Sequence, residues 1–156
     1  MRFLKKISHY TKGTLDSNTR STITKSMDQN IEHAEDFPLS GIKLLLADDE
    51  VRLRQIVVLM AVELGARVIA VDSCEEAIEI YKNKQSEIDI IMLDLRMNGI
   101  GGEAAFKELI KFDSNARIVL SSGMRPDESL FEELDKHNCL FIEKPFDMDQ
   151  LSAALS

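Results

Sequence analysis

The chain has 156 residues, 44% hydrophobic and 29% charged, the length and balance of one soluble globular domain with a tail. Its 19 Lys and Arg against 27 Asp and Glu give a net charge of −8, the wrong sign for gripping a phosphate backbone, so no nucleic-acid partner is expected. The longest apolar run, Ile56 to Val62, falls far short of the roughly 20 residues that cross a bilayer. No apolar stretch follows the basic start to form a leader, so a cytoplasmic protein without a membrane partner is expected.

Residues 1–40 are rich in Ser, Thr, Asn, Asp, Lys and Gln. Over 1–30, six basic residues face two acidic ones, a net of +4 that leaves −12 for the remainder. So polar a segment buries too little surface to offset its ordering entropy and reads as a disordered arm or linker. Phe3, Leu4 and Ile7 make at most one short amphipathic turn, a frayed tail rather than an anchor. The domain proper is assigned to 41–156. Within it Cys74 and Cys139 match no metal or redox spacing and read as buried, reduced thiols, and His9, His33 and His137 form no ligand pair.

From Gly41 the pattern becomes regular. Ile42 to Ala47 (IKLLLA) is apolar but for Lys43, as in a strand covered on both faces. Glu50 to Leu64 has no Gly or Pro and stops at Gly65, a helix with its C-terminal signal. Val68 to Val71 is a second strand; Ser73 then caps a helix through Tyr81, with Glu76 at capping-box spacing. Ile88 to Leu93 is the third strand, Glu103 to Phe112 a helix, and Ile118 to Leu120 the fourth strand. Pro126 to His137 is a helix whose first turn carries Asp127 and Glu128, favourable at the positive end of its dipole. Cys139 to Ile142 is the last strand and Met148 to Leu155 the last helix. Strands alternating with helices imply an α/β fold with a five-stranded parallel sheet covered on both faces.

Ligands of such sheets bind beyond the carboxyl ends of the strands. There the first strand ends in Asp48-Asp49-Glu50, the third in Asp94, the fourth in Ser121-Ser122-Gly123, and the fifth runs into Lys144-Pro145. Taken singly, each Asp reads more readily as a loop or helix-cap residue than as part of a site. If the first and third strands are neighbours, however, three or four carboxylates converge, and a hard cation such as Mg²⁺ relieves their repulsion.

The segments LLLADDE, IDIIMLDLRMNGIGG, IVLSSG and LFIEKPF, in this order over roughly Lys43 to Leu155, resemble the receiver domains of two-component response regulators. That resemblance implies a flavodoxin-like (βα)5 three-layer sandwich. It implies Asp94 as phosphoacceptor, and Mg²⁺ held by Asp49, Asp94 and the backbone carbonyl of Arg96, with Asp48 on a coordinated water. Lys144 would pair with phosphoryl oxygens, although a surface salt bridge is the plainer use of a lysine, and Pro145 suits a cis Lys-Pro bond. Ser122 matches the switch hydroxyl, with Ser121 the alternative one residue back. Phe141 stands where an aromatic turns inward on phosphorylation, or is plain core. The implied partners are a histidine kinase or histidine phosphotransfer protein as phosphodonor and an unidentified downstream protein, with a homodimer left open. Such a module modifies itself and is not a turnover enzyme.

Three departures bear on this reading. Asn98 replaces the usual Pro, which, with Gly99, Gly101 and Gly102, suggests a looser loop. Arg96 is large and cationic beside the acceptor, and the helix after Asp147 looks short. The chain reads as a receiver with no attached output domain. The C-terminal receiver of a hybrid histidine kinase and a phosphorylation-independent scaffold are the alternatives. A phosphatase with an Asp nucleophile fits poorly, because Asp94 is followed by Leu95-Arg96 rather than by a second acid two residues on.

Overall fold

The computed structural model describes residues 37–156. The polar arm assigned to 1–40, apart from its last four residues, lies outside the described residues, and so does the turn at Phe3, Leu4 and Ile7. Strand β1 (Lys43–Ala47) leads through α1 (Val51–Glu63) to β2 (Arg67–Val71), and α2 (Cys74–Lys84) with a 3-10 turn (Gln85–Glu87) leads to β3 (Ile90–Asp94). Then come α3 (Gly101–Phe112), β4 (Ile118–Ser122), α4 (Glu128–Lys136), β5 (Leu140–Glu143) and α5 (Met148–Leu155). The five strands form one sheet in the order β2-β1-β3-β4-β5, every pair parallel.

Why the inner strands read as nearly unbroken apolar runs follows from the layers. Leu45, Ala47, Ile91, Leu93, Ile118 and Leu120 face one core with α2, α3 and α4. The alternate residues Leu44, Leu46, Ile90, Met92 and Val119 face another core with Val57, Val58 and Ala61 of α1 and Leu151 and Leu155 of α5. With helices on both sides, neither face of the sheet can be polar. The result is the flavodoxin-like three-layer sandwich.

Several boundaries differ from the pattern reading, each for a local reason. Helix α2 runs on past Tyr81 to Lys84, a turn longer than expected. Ser73 accepts from the Glu76 amide at 3.3 Å, but the return bond that would complete a capping box is not made. Strand β3 starts at Ile90, because Asp89 turns its carboxylate to the Lys43 amide at 2.8 Å. Asp127 is the N-cap of α4 rather than part of its first turn, accepting from the Leu130 amide at 2.9 Å. Helix α5 is short, eight residues, but carries a complete capping box between Asp147 and Gln150, and Leu151 and Leu155 are fully buried. The folded body also reaches back before Gly41: Leu39 is fully buried and its amide bonds the Leu64 carbonyl at 2.8 Å. Both cysteines are buried and unpaired, and burial pushes the Cys74 thiol up to about 11. No helix among the described residues is long and apolar enough to cross a membrane.

Candidate functional site

Because every strand is parallel, the carboxyl ends of β1, β3, β4 and β5 share one edge. The β1–β3 register pairs Ala47 with Leu93, so the next residues, Asp48 and Asp94, stand side by side. Asp48, Asp49 and Asp94 each present a carboxylate oxygen, and the three lie within 4.8 Å of one another. Asp48 and Asp94 are 1% and 9% exposed, and Asp49 is half-buried. Carboxylates brought this close repel one another unless a cation stands among them.

Lys144 is that cation. Beyond β5 its amide bonds the Ser122 carbonyl at 2.8 Å, and its Nζ reaches Asp48 Oδ2 at 2.7 Å and Asp94 Oδ2 at 2.9 Å. Burial works to lower the ammonium's pKa, but its hydrogen bonds and charge pairs with Asp48 and Asp94 outweigh that and raise it above its ordinary value. The ammonium is therefore charged at neutral pH. The Lys144–Pro145 peptide bond is cis.

Each acid has further partners. Asp48 Oδ1 accepts from the Glu50 amide at 2.9 Å, and the Arg54 guanidinium bonds the Asp48 carbonyl. Asp94 Oδ1 accepts from the Arg96 amide at 3.0 Å, while the Arg96 side chain is exposed. Asp49 Oδ2 accepts twice from Asn98, from its amide at 3.1 Å and from Nδ2 at 2.9 Å.

That pair corrects the expectation of a loose loop after Asp94. The loop is tied again where Ile100 donates to Glu75 Oε1 at 3.1 Å and where the Gly102 amide reaches the Leu95 carbonyl at 3.2 Å. Arg54, Glu75 and the donor role of Asn98 escaped the sequence reading. For Asn98 the signal was present, since a residue with two donors replaces one with none.

Ser121 and Ser122 are both buried and take different partners. Ser121 donates to the Leu93 carbonyl at 3.4 Å, whereas Ser122 Oγ accepts from the Met124 amide at 3.2 Å. Phe141 is half-buried, edge-on to Phe131 at 5.5 Å, and Arg125 lies over the Phe131 ring at 4.9 Å.

Residues 44–156 match the family model of the response regulator receiver domain. The chain belongs to that family. Receiver domains are signalling modules of two-component systems rather than turnover enzymes, and they work with histidine kinases or phosphotransfer proteins and with downstream targets. This receiver domain is 30% identical over 117 residues to the chemotaxis protein CheY of Thermotoga maritima, covering 74% of the chain and 96% of that protein. To CheY of Bacillus subtilis it is 28% identical over 115 residues, covering 73% and 94%. Among solved structures it resembles a CheX-CheY-BeF3-Mg²⁺ complex from Borrelia burgdorferi, with a TM-score of 0.67, 27% identity and coverage of 74% and 87%.

Proposed function

We propose that this receiver domain accepts one phosphoryl group on Asp94 in a Mg²⁺-dependent reaction and signals to a partner protein through a conformational switch. The observation that carries this reading is the Lys144 ammonium between Asp48 and Asp94, beside a third carboxylate, at the shared end of the central strands.

The donor set suits a hard divalent cation: carboxylate oxygens, no sulfur or imidazole, and more negative charge than Lys144 alone neutralises. Asp49, Asp94 and the backbone carbonyl of Arg96 would hold Mg²⁺, with Asp48 on a coordinated water. When bound, the ion neutralises charge on the transferring phosphoryl group and orients it for in-line displacement.

The chain's own residues do the rest. An Asp94 oxygen forms the new bond to phosphorus as the donor's P–N bond breaks, with its electron pair leaving on the imidazole nitrogen, which takes a proton from water. Lys144, already within bonding distance of Asp94, moves its charge onto a phosphoryl oxygen. Ser122 would give up its bond from Met124 and donate to another, drawing the end of β4 toward the site. Phe141 would then turn inward. Lacking a hydroxyl, it would signal through the ring it leaves behind, Phe131.

The test is intact mass after incubation with a small acyl phosphate, with and without Mg²⁺. One phosphoryl group added only in the presence of Mg²⁺ supports the reading. No addition to a folded chain would make it a scaffold that binds without phosphorylation.

Arg96 sets a second expectation. Its amide is held by Asp94 Oδ1 at 3.0 Å and its side chain is exposed, so we place that side chain where it would crowd a water attacking the phosphoryl group. Arg96→Asn is expected to shorten the lifetime of the phosphorylated form about tenfold, equivalent to about 1.4 kcal/mol of barrier. An unchanged decay, followed by mass after donor removal, would exclude crowding by Arg96.

A further inference from the structure

Asn98 places both its donors on a single acceptor oxygen, Asp49 Oδ2, at 3.1 and 2.9 Å. A proline here would have neither donor. The neighbouring loop keeps Asn98 in place. Gly99, at φ +87°, passes so close to Glu75 that a Cβ would lie 2.5 Å from Oε1, and Glu75 in turn binds the Ile100 amide. Among the described residues both hydrogen bonds to the Asp49 carboxylate fall on Oδ2, and none falls on Oδ1.

We propose that Asn98 is a positioning residue that sets the Asp49 carboxylate for a divalent cation, holding Oδ2 so that Oδ1 is presented to the metal. The proposal rests on the reading of the acidic cluster as a Mg²⁺ site. Two effects act in the same direction. A carboxylate already fixed in one rotamer loses less freedom when it ligates. Two donors on Oδ2 also spread the charge that Asp49 would otherwise set against Asp48 and Asp94 before the cation arrives. Hydrogen-bond partners of metal ligands are typically worth about 10–100-fold in affinity. Because Asn98 is exposed, replacing it removes the side-chain bond without opening the core.

The experiment is a Mg²⁺ titration of the full-length, nitrogen-15-labelled chain, followed through the backbone amide signals of residues 94–100. Asn98→Ala, which keeps the backbone donor and loses the side-chain one, is expected to raise the Mg²⁺ Kd about tenfold, the lower end for such partners. Asn98→Ser, which retains a short donor, should recover part of that loss, a rescue that a merely structural loop residue would not show. An Asn98→Ala chain that binds Mg²⁺ as tightly as wild type, or more tightly, overturns the proposal and leaves the metal site standing. A wild-type chain whose signals do not respond to Mg²⁺ overturns the metal reading itself, and the proposal with it.

Discussion

Asp94→Asn is expected to take up no phosphoryl group in Mg²⁺ and acyl phosphate, while the wild-type chain takes up one, and to remain folded. The amide keeps the shape of the carboxylate but has no oxygen nucleophilic enough to attack phosphorus. Its neighbours are poor substitutes for different reasons. Asp48 is 1% exposed, with one oxygen on Lys144 and the other on the Glu50 amide, so it has no free face to offer. Asp49 is more open, but Asn98 holds one of its oxygens with two bonds. The fold should survive, because an Asn oxygen can still accept from either Lys144 or the Arg96 amide, and one negative charge leaves a crowded acidic cluster. Intact mass and circular dichroism on the same samples decide it. A phosphoryl group retained by Asp94→Asn would move the acceptor to another acid, with Asp49 first in line.

The parallel layout was legible because the covered strands leave an unmistakable signature. Leu44 to Leu46 and Ile90 to Leu93 have no polar alternation, and only a sheet with helices on both faces can bury both sets of side chains. Once the strands were known to be parallel, Asp48, Asp49, Asp94, Ser122 and Lys144 had to fall on one edge, so their grouping required no knowledge of side-chain geometry. Strand and helix ends were less legible. Asp89 leaves β3 for a bond to Lys43, a partner 46 residues away that local pattern cannot see. Asn98 is the sharper case. Its replacement of Pro suggests looseness from local pattern alone, whereas its acceptor on Asp49, 49 positions back along the chain, makes it a tether. The glycines after it invite the same misreading, since flexibility and close approach call for the same residue.

Gly102 shows which of those two reasons applies. It is the second residue of α3, buried, and its φ does not require glycine. The need is space: a Cβ there would lie 2.3 Å from the Asp94 carbonyl oxygen and 2.7 Å from Leu95 Cα, both backbone atoms at the end of β3. Main chain of a central strand, paired on both sides, cannot swing away as the tip of a long side chain can. Gly102→Ala must therefore push the start of α3 off the sheet or shift the peptide that carries Asp94. Overpacking of this kind costs about 3 kcal/mol, partly offset by the better helix propensity of alanine. For a domain of this size the thermal midpoint should fall by roughly 10 °C. Gly99→Ala is the informative contrast, since its closest contact is the carboxylate end of the exposed Glu75, which can rotate away. What remains at Gly99 is the strain of a positive φ, about 1 kcal/mol, so its midpoint should fall by much less. If the two variants melt together, the close approach at Asp94 is not what glycine at 102 provides. If Gly102→Ala melts far lower and, while still folded, also loses Mg²⁺-dependent uptake of phosphate, then the helix start and the acceptor strand share one position that only a residue without a Cβ can fill.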